Sequence, residues 1–242
     1  MKTLLKISAS IPENTSLAIL AGDEDSIPAE LTAEELRQWQ KKPEKKDTVF
    51  IQRLPHMLFL VKPDHRKPDH QVKESYRKAG ANVMETLKNE KITSLAITGT
   101  AEPYCFIAFL EGCLLAGYTF SRYKKEKEDF MPEVIHVVHN WIREDELSEL
   151  LILSRAVWWA RDLVNEPLSY LTAVQMAEEI SRKGDEAGFS VEIFHKQKIE
   201  SLKMGGLLAV NRGSPDPPTF TVAEHKPEGA VNDRPVILVG KG

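Results

Sequence analysis

The sequence predicts an α/β protein, and two observations carry that expectation. Short strand-like runs alternate with helix-like runs through the first 140 residues. Several of these runs are apolar on every side, as strands covered on both faces and a buried helix would be. Such alternation favours a largely parallel or mixed sheet with helices on its faces.

Residues 3–8 and 16–21 read as short apolar strands. Residues 34–39 read as a short helix, followed by the polar stretch 41–47. Residues 48–54 and 57–61 are two strands, with Pro55-His56 as a hairpin-like turn between them. After a loop rich in proline, lysine and aspartate at 62–68, Val72, Tyr76, Ala79, Val83 and Leu87 mark one face of an amphipathic helix. Residues 94–98 form a buried strand ended by Gly99, 104–118 a helix apolar almost all round, and 134–138 one more strand.

From Glu144 the pattern changes. Leu147, Leu150, Leu151, Ser154, Val157, Trp158 and Arg161 give a helical stripe of about five turns. A helix of that length suits a connector between domains, and Pro167 bars its continuation. Thr172 and Gln175 have the spacing of a capping box, so a helix is expected from there to about Asp185. Gly188, a strand at 190–194, an apolar run at 207–210, a turn-rich loop at 211–218 and a strand at 219–223 follow. Residues 235–239 read as a buried strand that delivers Gly240-Lys241-Gly242 to its carboxyl end. Ligands and metals of α/β proteins gather at such ends.

With 242 residues, one or two domains are expected. A hydrophobic content of 42% and a charged content of 28% belong to a soluble globular chain. The net charge of −4 gives no global attraction for nucleic acid or an anionic membrane. The lysine-rich stretches 41–46 and 123–127 are interleaved with other residue types and read as solvated surface. Cys105 and Cys113 stand eight apart in one helix, too far for a disulfide, and read as buried free thiols of a reducing compartment. The N-terminus lacks the apolar core of a signal peptide, and no run reaches the ~20 apolar residues of a membrane span. The expected location is cytoplasmic.

Gly240-Lys241-Gly242 is not a phosphate-binding P-loop. Pro235 stands where the first glycine belongs and Gly242 where serine or threonine belongs. On spacing alone, a surface turn accounts for it. His136 and His139 are three apart in a strand pattern, where they point to opposite faces and make no metal pair. His65 and His70 read as solvated loop residues, and Arg161-Asp162 as an ion pair or cap at a helix end.

Three stretches in order resemble the leucyl aminopeptidases, also called cytosol aminopeptidases. They are ARDLVNEPLSYLT at 160–172, MGGLLAVNRGSPDPP at 204–218 and PVILVGKG at 235–242. Upstream, LEGCLLAGYTFSRYK at 110–124 resembles the segment that closes that family's N-terminal domain. One departure is Ala173, where the family often has proline.

The resemblance implies a macro-like N-terminal α/β domain at 1–143, a connecting helix at 144–165, and the start of a metallopeptidase α/β domain at 166–242. It implies hydrolysis of N-terminal residues from peptides, with two divalent ions, zinc or manganese, as cofactors and a hexamer as the assembly. It gives Lys241 the role of a metal ligand. The other ligands, carboxylates, and the assisting lysine and arginine are expected after Gly242, so no catalytic residue is expected within this chain. The 242-residue chain alone is therefore expected to be inactive and to hold no metal stably. Two other readings compete. One is nucleotide binding, of ADP-ribose for example, by the macro-like domain with Gly99-Thr100-Ala101 as the candidate phosphate turn. The other is a structural oligomerisation domain.

Overall fold

The computed structural model describes residues 3–22, 31–40, 48–53, 56–125 and 130–240. The chain divides into two units, Met1–Ala160 and Arg161–Gly242.

The first unit is built on a six-stranded sheet of β1 (Leu4–Ile7), β2 (Ser16–Leu20), β3 (Thr48–Arg53), β4 (His56–Val61), β5 (Ser94–Gly99) and β6 (Val134–Val137). Its spatial order is β1-β6-β5-β2-β4-β3. Every neighbouring pair is parallel except β3 with β4. That antiparallel pair is the hairpin the sequence predicts, with His56 as the first residue of β4. Leu54 and Pro55 lie outside the described residues.

Strand period divides the core in two. Ala18, Leu20, Phe59, Val61, Leu95 and Ile97 point to the larger cluster. Leu17, Ile19, Leu58, Leu60 and Ala96 point to the smaller one, which Leu36 of α1 (Ala33–Gln40) helps to cover. All five residues of β2 are buried, as a central parallel strand requires. Helix α1 starts at a closed capping box that the sequence reading missed. The backbone N–H of Thr32 donates to Glu35 Oε2 at 2.8 Å, and that of Glu35 to Thr32 Oγ1 at 3.4 Å.

The larger cluster is capped by α2 (Asp69–Asn89) and α3 (Pro103–Ala116). All five stripe residues predicted for α2 are buried. The helix ends where Lys91 takes a left-handed φ of 55°, and Ile92 N–H reaches back to Leu87 O. Helices α2 and α3 approach closely through glycine. A Cβ on Gly80 would lie 2.1 Å from the Phe109 carbonyl oxygen, and one on Gly112 would lie 2.0 Å from that of Arg77. The Cys113 thiol donates to Gly80 O, and Arg77 pairs with Glu111 across the same seam. Cys105 and Cys113 are both buried free thiols, as expected.

Helix α4 (Glu144–Asn165) runs across the division between the units. In the first unit Leu147, Leu150 and Ser154 are buried, and Trp158 Nε1–H donates to the Leu114 carbonyl at 3.1 Å. Val157, predicted on the same stripe, is exposed together with Ile152 and Leu153.

The second unit contains α5 (Ala173–Ala187), β7 (Ser190–Phe194), α6 (Lys196–Ser201), α7 (Gly205–Asn211) and β8 (Phe220–Glu224). Strands β7 and β8 pair antiparallel, Ser190 opposite Glu224. Gly184 lets α5 approach β7, since a Cβ there would meet the Phe189 carbonyl and the Val191 side chain, both at 2.7 Å. Gly188 closes α5 in the left-handed conformation at φ 79°.

Two expectations for this unit are corrected. Thr172 sits at the N-cap but makes no side-chain cap bond; its hydroxyl meets the Gln175 side chain instead. The apolar run 207–210, for which the sequence assigned no element, is part of α7, and α6 was not foreseen at all. Residues 235–239 form no strand and are exposed, Leu238 at 92% and Val239 at 93%. A parallel strand takes its hydrogen bonds wholly from its neighbours. Among the described residues, β7 and β8 pair only with each other.

Candidate active-site segments

Three segments carry the motif residues in the second unit. The first leaves α4 at Asn165 and turns at Pro167, whose carbonyl accepts the N–H groups of Tyr170 and Leu171 at 2.9 Å each. It then enters α5 at Ala173. The second is α7 and the loop after it. The Asn211 side-chain amide donates to Asp216 O at 3.0 Å, and Asp216 N–H donates to Ser214 Oγ at 3.2 Å, so the loop is stitched by its own side chains. Pro218 beyond it is buried. Thr219 Oγ1 donates to Ala173 O at 3.0 Å, which brings the end of the second segment to the end of the first. The third segment has no regular secondary structure and is exposed through Gly240. Lys241, the expected metal ligand, and Gly242 lie outside the described residues.

Charge in this unit follows the solvated face of α5. Arg182 bridges Glu179 at 2.6 Å and also pairs with Glu186, which Lys183 contacts as well. The Lys183 hydrogen bond, and then the charges of Lys183 and Arg182, hold the Glu186 carboxyl below its ordinary range. These are exposed i,i+3 and i,i+4 pairs and do not make a reaction centre.

A metal would need converging donors. Among the described residues, no three His, Cys, Asp or Glu side chains come together to hold one. A single lysine amine does not supply the donors that two divalent ions require. The described residues therefore do not by themselves fit a two-metal centre.

The competing site lies in the first unit. Successive connections leave β2 toward β4 and β5 toward β6, so the topological switch point falls between β2 and β5. That crevice is closed by the chain itself. The Leu20 carbonyl accepts the N–H groups of both Thr100 and Ala101, at 2.9 and 3.1 Å. Gly22 N–H donates to Thr100 Oγ1 at 3.1 Å, and a Cβ on Gly99 would lie 2.0 Å from Leu20 O. Tyr76 Oη–H donates to the Ala21 carbonyl, with His65 Nε2 3.2 Å from that same oxygen. Two amides of the candidate phosphate turn are thus already spent inside the fold. Cys105, at the start of α3, is no nucleophile, because burial pushes its thiol up to about 11.

The two histidines of the β6 region point to opposite faces, as predicted. His136 Nδ1 meets Ser8 Oγ at 2.9 Å, whereas the His139 ring packs on Phe106 of the larger core.

Comparison with known proteins follows the same division of the chain. The model of the cytosol aminopeptidase family N-terminal domain matches residues 67–127, and the model of its catalytic domain matches residues 158–242. Together they cover more than half of the chain. A "Probable cytosol aminopeptidase" of Chlorobium limicola is 43% identical over 148 residues, covering 56% of this chain and 29% of that protein. One from Aquifex aeolicus is 31% identical over 173 residues, covering 70% and 35%. One from Chloroherpeton thalassium is 52% identical over 97 residues, covering 40% and 18%. Among solved structures, a mutant of tomato leucine aminopeptidase superposes with a TM-score of 0.71 at 18% identity, over 90% of this chain and 49% of that one. The bottromycin maturation enzyme BotP in complex with Mn gives 0.68 at 19% identity, over 88% and 46%. The two structural matches establish a shared α/β fold. The chain belongs to the cytosol aminopeptidase family and carries sequence of both its N-terminal and its catalytic domain. It spans about a third or less of the length of these three relatives.

Proposed function

We propose that this chain is the N-terminal portion of a metal-dependent aminopeptidase that removes N-terminal residues, leucine among them, from peptides. The observation that carries the reading is the ordered match of two family models, one to each unit. On this reading residues 1–143 are the N-terminal domain, 144–165 the connecting helix and 166–242 the start of the catalytic domain. Lys241 ligates a metal as the neutral amine, its pKa lowered by burial and adjacent cations. The carboxylate ligands and the assisting lysine and arginine come from sequence beyond Gly242. Two divalent ions, zinc or manganese, supply a polarised carbonyl and a hydroxide nucleophile in the whole enzyme. A hexamer in the cytoplasm is the accompanying assembly and location. In support of the location, no helix among the described residues is long and apolar enough to cross a membrane.

The test is hydrolysis of leucine p-nitroanilide with added Mn²⁺ or Zn²⁺. The 242-residue chain is expected to give no metal-dependent turnover, whereas the chain extended to the length of its relatives turns over and loses activity on Lys241→Ala. Turnover by the 242-residue chain, or an active extended Lys241→Ala variant, overturns the reading. Nucleotide binding is disfavoured by the occupied amides of Thr100 and Ala101. Calorimetry with ADP-ribose is expected to give no heat.

A further inference from the structure

We infer that His139 is a neutral-only latch that fixes the turn between β6 and α4, so that protonating it frees the start of α4. The turn is short: β6 ends at Val137 and α4 begins at Glu144. Within it, the backbone N–H of Trp141 donates to His139 Nδ1 at 3.1 Å. An imidazole nitrogen that accepts a hydrogen bond carries no proton, so the other ring nitrogen is the donor. The Ala101 backbone beside the ring favours its protonated form. One tautomer, with Nδ1 unprotonated, therefore holds the β6–α4 turn. The Phe106 ring, with its centroid 4.5 Å away, packs against the imidazole.

Protonation breaks this arrangement at one atom. An imidazolium has an N–H at Nδ1 and turns a donor toward the Trp141 donor. The charged groups around the ring are few. Glu102, at the N-cap of α3, favours the imidazolium. On the latch's own segment, Arg143 is paired with Asp145 and gives its N–H to Glu146. Lys6 acts on His136, on the opposite face. Burial outweighs Glu102 and holds the His139 pKa below its ordinary 6.5. The sign follows directly. Above pH 6.5 the ring is neutral whether the chain is folded or not. As pH falls below 6.5, the unfolded chain takes up a proton that the closed latch refuses, so stability drops until the native value is reached.

The experiment is amide hydrogen exchange and histidine ring NMR on the 242-residue chain from pH 8 to pH 5, with His139→Gln and His136→Gln as partners. Between pH 6.5 and the native His139 pKa, the protection factor of the Trp141 amide is expected to fall, by at most about tenfold per pH unit, and to level off below it, tracking the His139 ring and not that of His136. The glutamine at 139 carries an acceptor that does not titrate, so its Trp141 protection is expected to be flat with pH. A Trp141 amide that stays protected while the His139 ring titrates overturns the inference, and so does an unchanged pH dependence in His139→Gln. The first readout needs only the unaltered chain, so it stands even where the variant folds poorly.

Discussion

The two units spend their apolar residues differently. In the first, whole strands and the inner faces of α2 and α3 are buried, with Phe59, Tyr76, Phe106 and Phe109 fully inaccessible. In the second, the buried apolar side chains among the described residues are Ala177, Ile199 and Pro218, while Val236 to Val239 face solvent. Both carry family sequence, and both alternate strands with helices. What separates them is pairing. Five strands of the first unit are joined in parallel and covered by crossover helices, whereas among the described residues β7 and β8 have only each other. An apolar strand pattern in sequence is therefore a statement about neighbours as much as about the segment itself.

The largest expected contrast comes from truncating one apolar residue in each unit. Phe109→Ala removes a fully buried ring and is expected to cost about 3–5 kcal/mol in urea unfolding. Ile237→Ala, at a position 77% exposed, is expected to stay within about 0.5 kcal/mol. A large loss at Ile237 would mean that residues 235–239 are buried after all.

Glycine sharpens the contrast by giving opposite signs. At Gly112 a methyl group meets the Arg77 carbonyl, so Gly112→Ala is expected to destabilise by about 1–3 kcal/mol. At Gly206 in α7 a methyl group meets nothing within 4 Å, so Gly206→Ala is expected to stabilise by about 0.4–1 kcal/mol. Thermal denaturation of the two variants reads both directions against the same parent.

The smallest contrast is between two helix starts. Thr32→Ala opens a closed capping box and is expected to lose about 1 kcal/mol. Thr172→Ala removes only a contact with the Gln175 side chain and is expected to lose less. Equal losses would show that Thr172 caps α5 in solution.

These pairs also explain which parts were legible in the sequence. The stripe of α2 was readable because its burial follows period 3.6, and the central strands and the buried thiols because they lie in short continuous apolar runs; both patterns are printed in a single chain. The capping box at Thr32 was equally readable as Thr-x-x-Glu, a stronger signal than the Thr-x-x-Gln at 172. The run 207–210 was not assignable because four apolar residues suit a strand or a helix, and the diglycine before it gives no direction. The site was legible only as motifs. Nothing local distinguishes Gly240-Lys241-Gly242 from a turn, since a metal ligand is defined by donors distant in sequence. His139 reads in the sequence only as a residue on the face opposite His136 in a strand pattern. Its tautomer depends on Trp141 and its packing on Phe106, of which only Trp141 is a sequence neighbour.

The glycine seam between α2 and α3 has a consequence in time as well as in space. Its partners are near in sequence, with Gly80 and Cys113 separated by 33 positions and only β5 between their helices. Contacts of that separation form at low loop-closure entropy, before the sheet's outer strand β1 must find β6 across about 130 residues. In kinetic terms the helix pair with β5 is the natural nucleus of the first unit. Changes at the seam then act on the refolding arm of a chevron plot, and changes at β1 on the unfolding arm.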